Sequence, residues 1–118
     1  MMIQEFLKDQ LKVKIYSTRR EMGNSAAAMA AHCLRELLQH KDEVNIIFAA
    51  AASKLEFLEA IALEEDIAWS RVNAFHMHEY TGLPVGHPQR FGNLLNEKIF
   101  SKLPLKKVYY LNDSAENG

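Results

Sequence analysis

The sequence has one cysteine, Cys33, so no internal disulfide can form. It has no basic excess: 14 lysines and arginines stand against 15 aspartates and glutamates, for a formal net charge of −1. That balance gives no reason to expect a nucleic-acid-binding face. No run of about eighteen apolar residues occurs, so a helical membrane span is not expected. The first ten residues carry Glu5, Lys8 and Asp9 among their apolar positions. They lack the basic start and apolar block of a secretory signal. The cytoplasm is therefore the expected compartment. Repeats and low-complexity tracts are also missing, apart from short alanine runs at Ala26–Ala28 and Ala49–Ala52.

What is present is an ordinary globular composition. Hydrophobic residues make up 48% and charged residues 25%, which sets the chain apart from disordered sequences. A length of 118 residues suits one domain with a modest core.

Apolar periodicity organises the chain. Ile3, Phe6, Leu7 and Leu11 recur at helical spacing, which predicts a first helix. Val13 and Ile15 alternate with lysines and Ser17, as in an edge strand. Ser25 is a candidate cap for a helix to about His40, with Ala27, Ala30, Ala31, Leu34, Leu37 and Leu38 inward. Val44–Ala49 is a short apolar run of the kind buried in parallel sheets. Ser53 and Glu56 have capping-box spacing ahead of a helix burying Leu55, Leu58, Ile61 and Ala62. Val72–Met77 reads as a strand, and His78–Pro88, with Gly82, Pro84, Gly86 and Pro88, as a loop. Phe91, Leu94, Leu95 and Ile99 mark another helix, and Val108–Leu111 a last strand. Alternating strands and helices predict a parallel sheet with helices on both faces and right-handed crossovers.

In open parallel sheets ligands gather beyond the carboxyl ends of the strands. Two such places carry suitable residues. Ala49–Lys54 joins a strand to a helix start, where backbone N–H groups and Lys54 would attract an anion. It is also an ordinary strand-to-helix turn, and without glycine it is less able to wrap a phosphate. The second place is the loop after Phe75, reading His76, Met77, His78, Glu79, Tyr80. An imidazole there is a candidate general base, and Glu79 could take a proton or orient a neighbour. The plain alternative is a solvated loop over a packed Tyr80. His76 and His78, with His87 or Glu79, also permit a weak metal reading, since residues two apart on a strand share a face. His32 and His40 fall on a helix as structural or surface residues, Cys33 is expected as a small buried hydrophobe, and Trp69 as a packing residue.

The stretch from Val72 to Phe100 resembles the glucosamine-6-phosphate deaminase family. The resemblance lies in Glu79-Tyr80, Gly82-Leu83-Pro84, His87-Pro88 and Phe91, followed by Tyr110-Leu111-Asn112. It covers most of the chain from about Lys12, is specific between His78 and Pro88, and is generic elsewhere. It implies a three-layer α/β/α sandwich with a mostly parallel, Rossmann-like sheet, here incomplete. It implies a sugar-phosphate isomerase or deaminase acting on an amino-sugar phosphate, without a cofactor. The implied catalytic residues are His78 and Glu79. The implied substrate-binding residues are Ala50, Ala51, Ser53, Lys54, Tyr80 and His87.

The sequence departs from the family pattern in three places. The family's loop aspartate, which moves a proton between C1 and C2 of the sugar, falls at His78. The family's glycine-rich phosphate loop falls at Ala49–Lys54, which has no glycine, as in a divergent alanine-rich subgroup. The family's second half, with a further catalytic Asp and His, a Glu and basic phosphate ligands, has no counterpart in these 118 residues. A single partial domain over 1–118 is thus the expectation, with an apolar sheet edge inviting self-association into a homo-oligomer. An inactive sugar-phosphate-binding or regulatory module is one alternative function. A 6-phosphogluconolactonase-like hydrolase is another, although that side of the group has Asp-Glu-Arg where Tyr80 stands. The isolated chain is expected to bind phosphate weakly and to lack activity.

Overall fold

The computed structural model describes residues 1–49, 52–80, 82–84 and 86–111. Ala50 and Ala51, two of the candidate substrate-binding residues, and Asn112 lie outside the described residues.

The chain opens with a hairpin instead of the expected helix. β1 (Met2–Lys8) pairs antiparallel with β2 (Leu11–Tyr16), matching Phe6 to Val13 and Leu7 to Lys12. Asp9 makes the turn at φ 56°, a left-handed conformation that Asp tolerates. Ile3, Phe6, Leu7 and Leu11 do fit a helical stripe, but the strand-forming segment right after them offers a full ladder. The hairpin does not join the main sheet.

α1 runs over Arg19–His40, about two turns earlier than Ser25 suggests. Thr18 is its cap, its hydroxyl accepting the Glu21 N–H at 3.1 Å. Ala27, Ala31, Leu34 and Leu38 are buried as expected, whereas Leu37 is exposed. The sheet follows in the order β3 (Val44–Phe48), β4 (Val72–His76), β5 (Lys107–Tyr109), all parallel. Between β3 and β4 lies α2 (Leu55–Leu63), preceded by a 3-10 turn at Ala52–Lys54. α3 (Phe91–Lys98) links β4 to β5.

The capping box at Ser53 does not form, and α2 has no side-chain cap. Glu56 is drawn across to α1, where it accepts from Arg19 at 3.1 Å. A second contact fixes the same helix pair. A Cβ on Gly23 would lie 2.8 Å from the Glu56 Cβ and 2.9 Å from the backbone of Glu56 and Phe57. Gly23→Ala should gain up to about 1 kcal/mol of helix propensity. It should lose more by pushing α1 off the α2 backbone, which cannot swing aside as a side chain would. A net destabilisation of about 1–3 kcal/mol is expected in denaturant titration. A variant as stable as the wild type would show that the helices separate freely.

The register puts Val44, Ile46, Phe48, Val72, Ala74, His76 and Val108 on one face of the sheet. This face meets the helices: Val44, Phe48, Val72 and Ala74 are buried in one cluster with Leu58, Ile61, Trp69, Leu95, Ile99 and Phe100. The opposite face carries Asn45, Ile47, Asn73, Phe75, Lys107 and Tyr109. It is only partly self-covered, by an Asn73–Asn45 hydrogen bond of 3.0 Å and a Phe75–Tyr109 ring stack at 4.7 Å. Ile47 is 66% exposed. The architecture is α/β with a parallel sheet, a partial domain in which the described residues supply two of the three layers.

Candidate active site

Phe48 and His76 are register partners, so the segments that follow β3 and β4 leave from the same edge of the sheet. His76 ends β4 with its ring buried. Its Nε2 accepts the Leu111 N–H at 2.9 Å, which leaves Nδ1 to donate to the His78 carbonyl at 3.0 Å. Both ring nitrogens are thus engaged in tying β4 to the end of β5 and to the loop. The weak metal reading loses its first ligand by this bonding, and the described residues hold no group of three potential metal ligands.

Glu79 is the hub of the loop. One carboxylate oxygen accepts the Tyr80 and Phe91 N–H groups at 2.9 and 2.7 Å, and the other accepts the Gly92 N–H at 2.8 Å. Phe91 and Gly92 are the first residues of α3, so Glu79 caps that helix from twelve residues upstream and meets its positive end. Arg90 lies 3.8 Å away, and both side chains are almost fully buried. Arg90 donates in turn to the Leu83 and Leu111 carbonyls at 3.1 and 3.2 Å. Burial alone would push the Glu79 carboxyl up. The three backbone donors and the Arg90 charge outweigh it and hold the group below the ordinary carboxylate range.

Against this buried clamp, His78 and Tyr80 face outward. The Phe91 ring lies between them, with His78 edge-on at 4.4 Å and Tyr80 stacked at 4.8 Å. Both are exposed. His87 is half-buried, and its Nδ1 accepts the Gln89 N–H at 3.1 Å. Its carbonyl accepts from the Asn93 amide at 2.9 Å. A concavity of about 360 Å³ lies beside the clamp, lined by Glu79, Arg90, Gly92, Asn93, Asn96, Tyr110 and Leu111. Burial pushes the Tyr110 phenol up, which keeps it a donor, and its O–H reaches Asn96 Oδ1 at 3.2 Å.

Ser53 and Lys54 sit elsewhere. They are exposed and line a groove of about 570 Å³ with residues of α1, β3 and α2. The two candidate regions share an edge of the sheet, but the described residues do not merge them into one cleft. Cys33 corrects an expectation: it is exposed on the same groove, not buried. Sequence reasoning also missed Arg90 and the bonding of His76. The one sequence signal for Arg90 is its place just before the helix that begins at Phe91.

No family model matches the chain. Individual relatives do. Glucosamine-6-phosphate deaminase 2 of Giardia intestinalis is 30% identical over 98 residues, covering 79% of this chain and 37% of the relative. The glucosamine-6-phosphate deaminase of Streptococcus uberis is 29% identical over 107 residues, covering 91% of this chain and 43% of the relative. Among solved structures, a monomeric glucosamine-6-phosphate deaminase overlays 86% of this chain with a TM-score of 0.71 at 17% identity, using 42% of its own length. A 6-phosphogluconolactonase from Shewanella baltica overlays 87% with a TM-score of 0.72 at 15% identity, using 45%. The fold is thus a partial α/β domain of the kind seen in these deaminase and lactonase structures. The chain belongs to the superfamily of the glucosamine-6-phosphate deaminases, with 6-phosphogluconolactonases as structural relatives, and spans about two fifths of the length of the relatives it matches.

Proposed function

We propose that this chain supplies the proton-transfer loop of an enzyme acting on an amino-sugar phosphate, by aldose–ketose isomerisation with deamination. One observation carries the reading: the Glu79 clamp consumes its own carboxylate in holding the loop and so presents the His78 imidazole, free of the buried network, at the carboxyl edge of the sheet. In this reading His78 takes a proton at one of C1 and C2 of the open-chain sugar and returns it at the other. Glu79 positions His78 instead of exchanging protons itself. Tyr80 and His87 flank the substrate, and Ser53, Lys54, Ala50 and Ala51 form the phosphate-binding side. The names of the relatives support glucosamine 6-phosphate as the first substrate to try.

The test replaces the matched segment of the Streptococcus uberis deaminase by this chain and follows ammonia release from glucosamine 6-phosphate. His78→Asp should keep the activity of the chimera. His78→Ala should lower kcat by roughly 100-fold or more. Equal rates for the chimera and its His78→Ala variant would sink the general-base role. A folded chimera inactive with all three residues would put the binding-module reading ahead.

A further inference from the structure

Of the five histidines only His76 is buried, and the proton transfer proposed above does not use it. Both partners of its ring are backbone groups of fixed polarity. The Leu111 N–H can only donate, so the Nε2 facing it at 2.9 Å presents a lone pair. The His78 carbonyl can only accept, so the Nδ1 facing it at 3.0 Å carries the proton. A proton on both nitrogens would set one N–H against another at Leu111. The fold thus selects the neutral Nδ1–H tautomer.

The bond to His78 falls where the loop needs it. Upstream, the Met77 N–H donates to the Phe48 carbonyl at 3.1 Å and continues the sheet. Downstream, the Glu79 carboxylate takes the Tyr80, Phe91 and Gly92 N–H groups. Between these anchors stands the peptide joining His78 to Glu79. His78 is exposed and the Glu79 side chain is buried, so this peptide sends two neighbouring side chains in opposite directions. The bond from its carbonyl to His76 fixes its plane. Turning that plane would swing the His78 imidazole away from Phe91, against which it lies edge-on at 4.4 Å.

The other end of the His76 ring is held as well. The Leu111 carbonyl accepts from Arg90 at 3.2 Å, and the same guanidinium holds the Leu83 carbonyl at 3.1 Å. The start of α3 closes over the ring: a Cβ on Gly92 would lie 3.3 Å from His76 Nε2 and 2.9 Å from Tyr110 Cδ1. The ring cannot turn without moving α3 or the end of β5.

We propose that His76 is a positioning residue for the candidate base: held as the Nδ1–H tautomer by Leu111, it fixes the His78 carbonyl and with it the place of the His78 imidazole. Its kinetic consequence rests on the proton-transfer reading, whereas its geometry belongs to this chain alone.

The geometry is read in the 118-residue chain by nitrogen-15 NMR of the imidazole rings at neutral pH. His76 is assigned by its loss in His76→Asn. It should show a protonated Nδ1 and a bare Nε2, and the opposite tautomer or an even mixture overturns the proposal. Two amides then split the two bonds of the ring. His76→Asn puts an N–H at the place of Nδ1 and keeps the tie to His78. His76→Gln reaches the place of Nε2 and keeps the bond from Leu111. The displacement of the His78 ring protons by the Phe91 ring current should survive in His76→Asn and vanish in His76→Gln. Its survival in both folded variants overturns the positioning role, and the wild-type tautomer still decides if neither folds. In the chimera with the Streptococcus uberis deaminase, kcat should fall roughly tenfold or more in His76→Gln and less in His76→Asn, with KM changed by less than about twofold. Equal kcat in the two, or a change confined to KM, also overturns it. A chimera inactive before His76 is changed sinks the proton-transfer reading instead, and the ring-current comparison then decides whether His76 positions His78.

Discussion

Replacing Glu79 by Ala should destabilise the chain by about 3–5 kcal/mol, because it removes one partner of a buried ion pair and leaves Arg90 charged without its carboxylate. It also strips the Phe91 and Gly92 N–H groups of their acceptor at the start of α3. Glu79→Gln keeps the shape but loses the charge, and should cost less. The acid dependence follows from the depressed carboxyl. Its contribution is complete above the unfolded-state value of about 4.3 and is lost as pH falls through the lower folded value. The stability gap between wild type and Glu79→Gln should therefore be constant from neutral pH to about pH 5 and shrink toward zero below it. Urea titrations from pH 7 to pH 3 would show this, and a gap that does not change with pH would mean that the carboxylate is not clamped as described.

A second large effect is expected beneath the same helix. Leu95 is fully buried on α3 and belongs to the cluster with Ile99 and Phe100. Leu95→Ala should cost about 2–5 kcal/mol, the upper end if the neighbours cannot close the cavity. Phe100 limits that closure, since its ring packs edge-on against Phe48 at 5.4 Å. Leu95 and Glu79 hold the inner and leading parts of one short helix. The double variant should thus lose less than the sum of the two singles. Strict additivity in a double-mutant cycle would show that helix and loop unfold separately.

How much of this was legible follows from the reach of each signal. The two core strands declare themselves because Val44–Phe48 and Val72–His76 are short, mostly apolar runs, each too brief for a helix and set between helical patterns. The loop from His78 to Pro88 declares itself through its glycines and prolines. The start of α1 was misplaced because two hydroxyl residues compete, and Thr18 wins by meeting the Glu21 N–H while Ser25 turns toward Tyr16. The opening hairpin was misread because four apolar residues fit both periods over so short a run. The role of Glu79 was hidden for a different reason. Its partners lie at Phe91 and Gly92, and nothing local shows that a loop carboxylate will cap a helix that far downstream. The exposure of Cys33 is hidden because an alanine-rich helix offers more than one apolar face, and the buried one runs through Ala27, Ala31, Leu34 and Leu38.

The order β3-β4-β5 is also the order of synthesis. Every ladder in the sheet closes a single βαβ loop between strands that are neighbours in the chain. The β3–β4 pairing, with α2 across it, therefore has all its parts once His76 has left the ribosome, before α3 or β5 exists. The loop bearing His78 and Glu79 emerges next, onto a strand edge already in place. Its clamp can close only when Phe91 and Gly92 arrive. The candidate site should be the last part of the main sheet unit to become ordered during translation, with the core beneath it acting as the template.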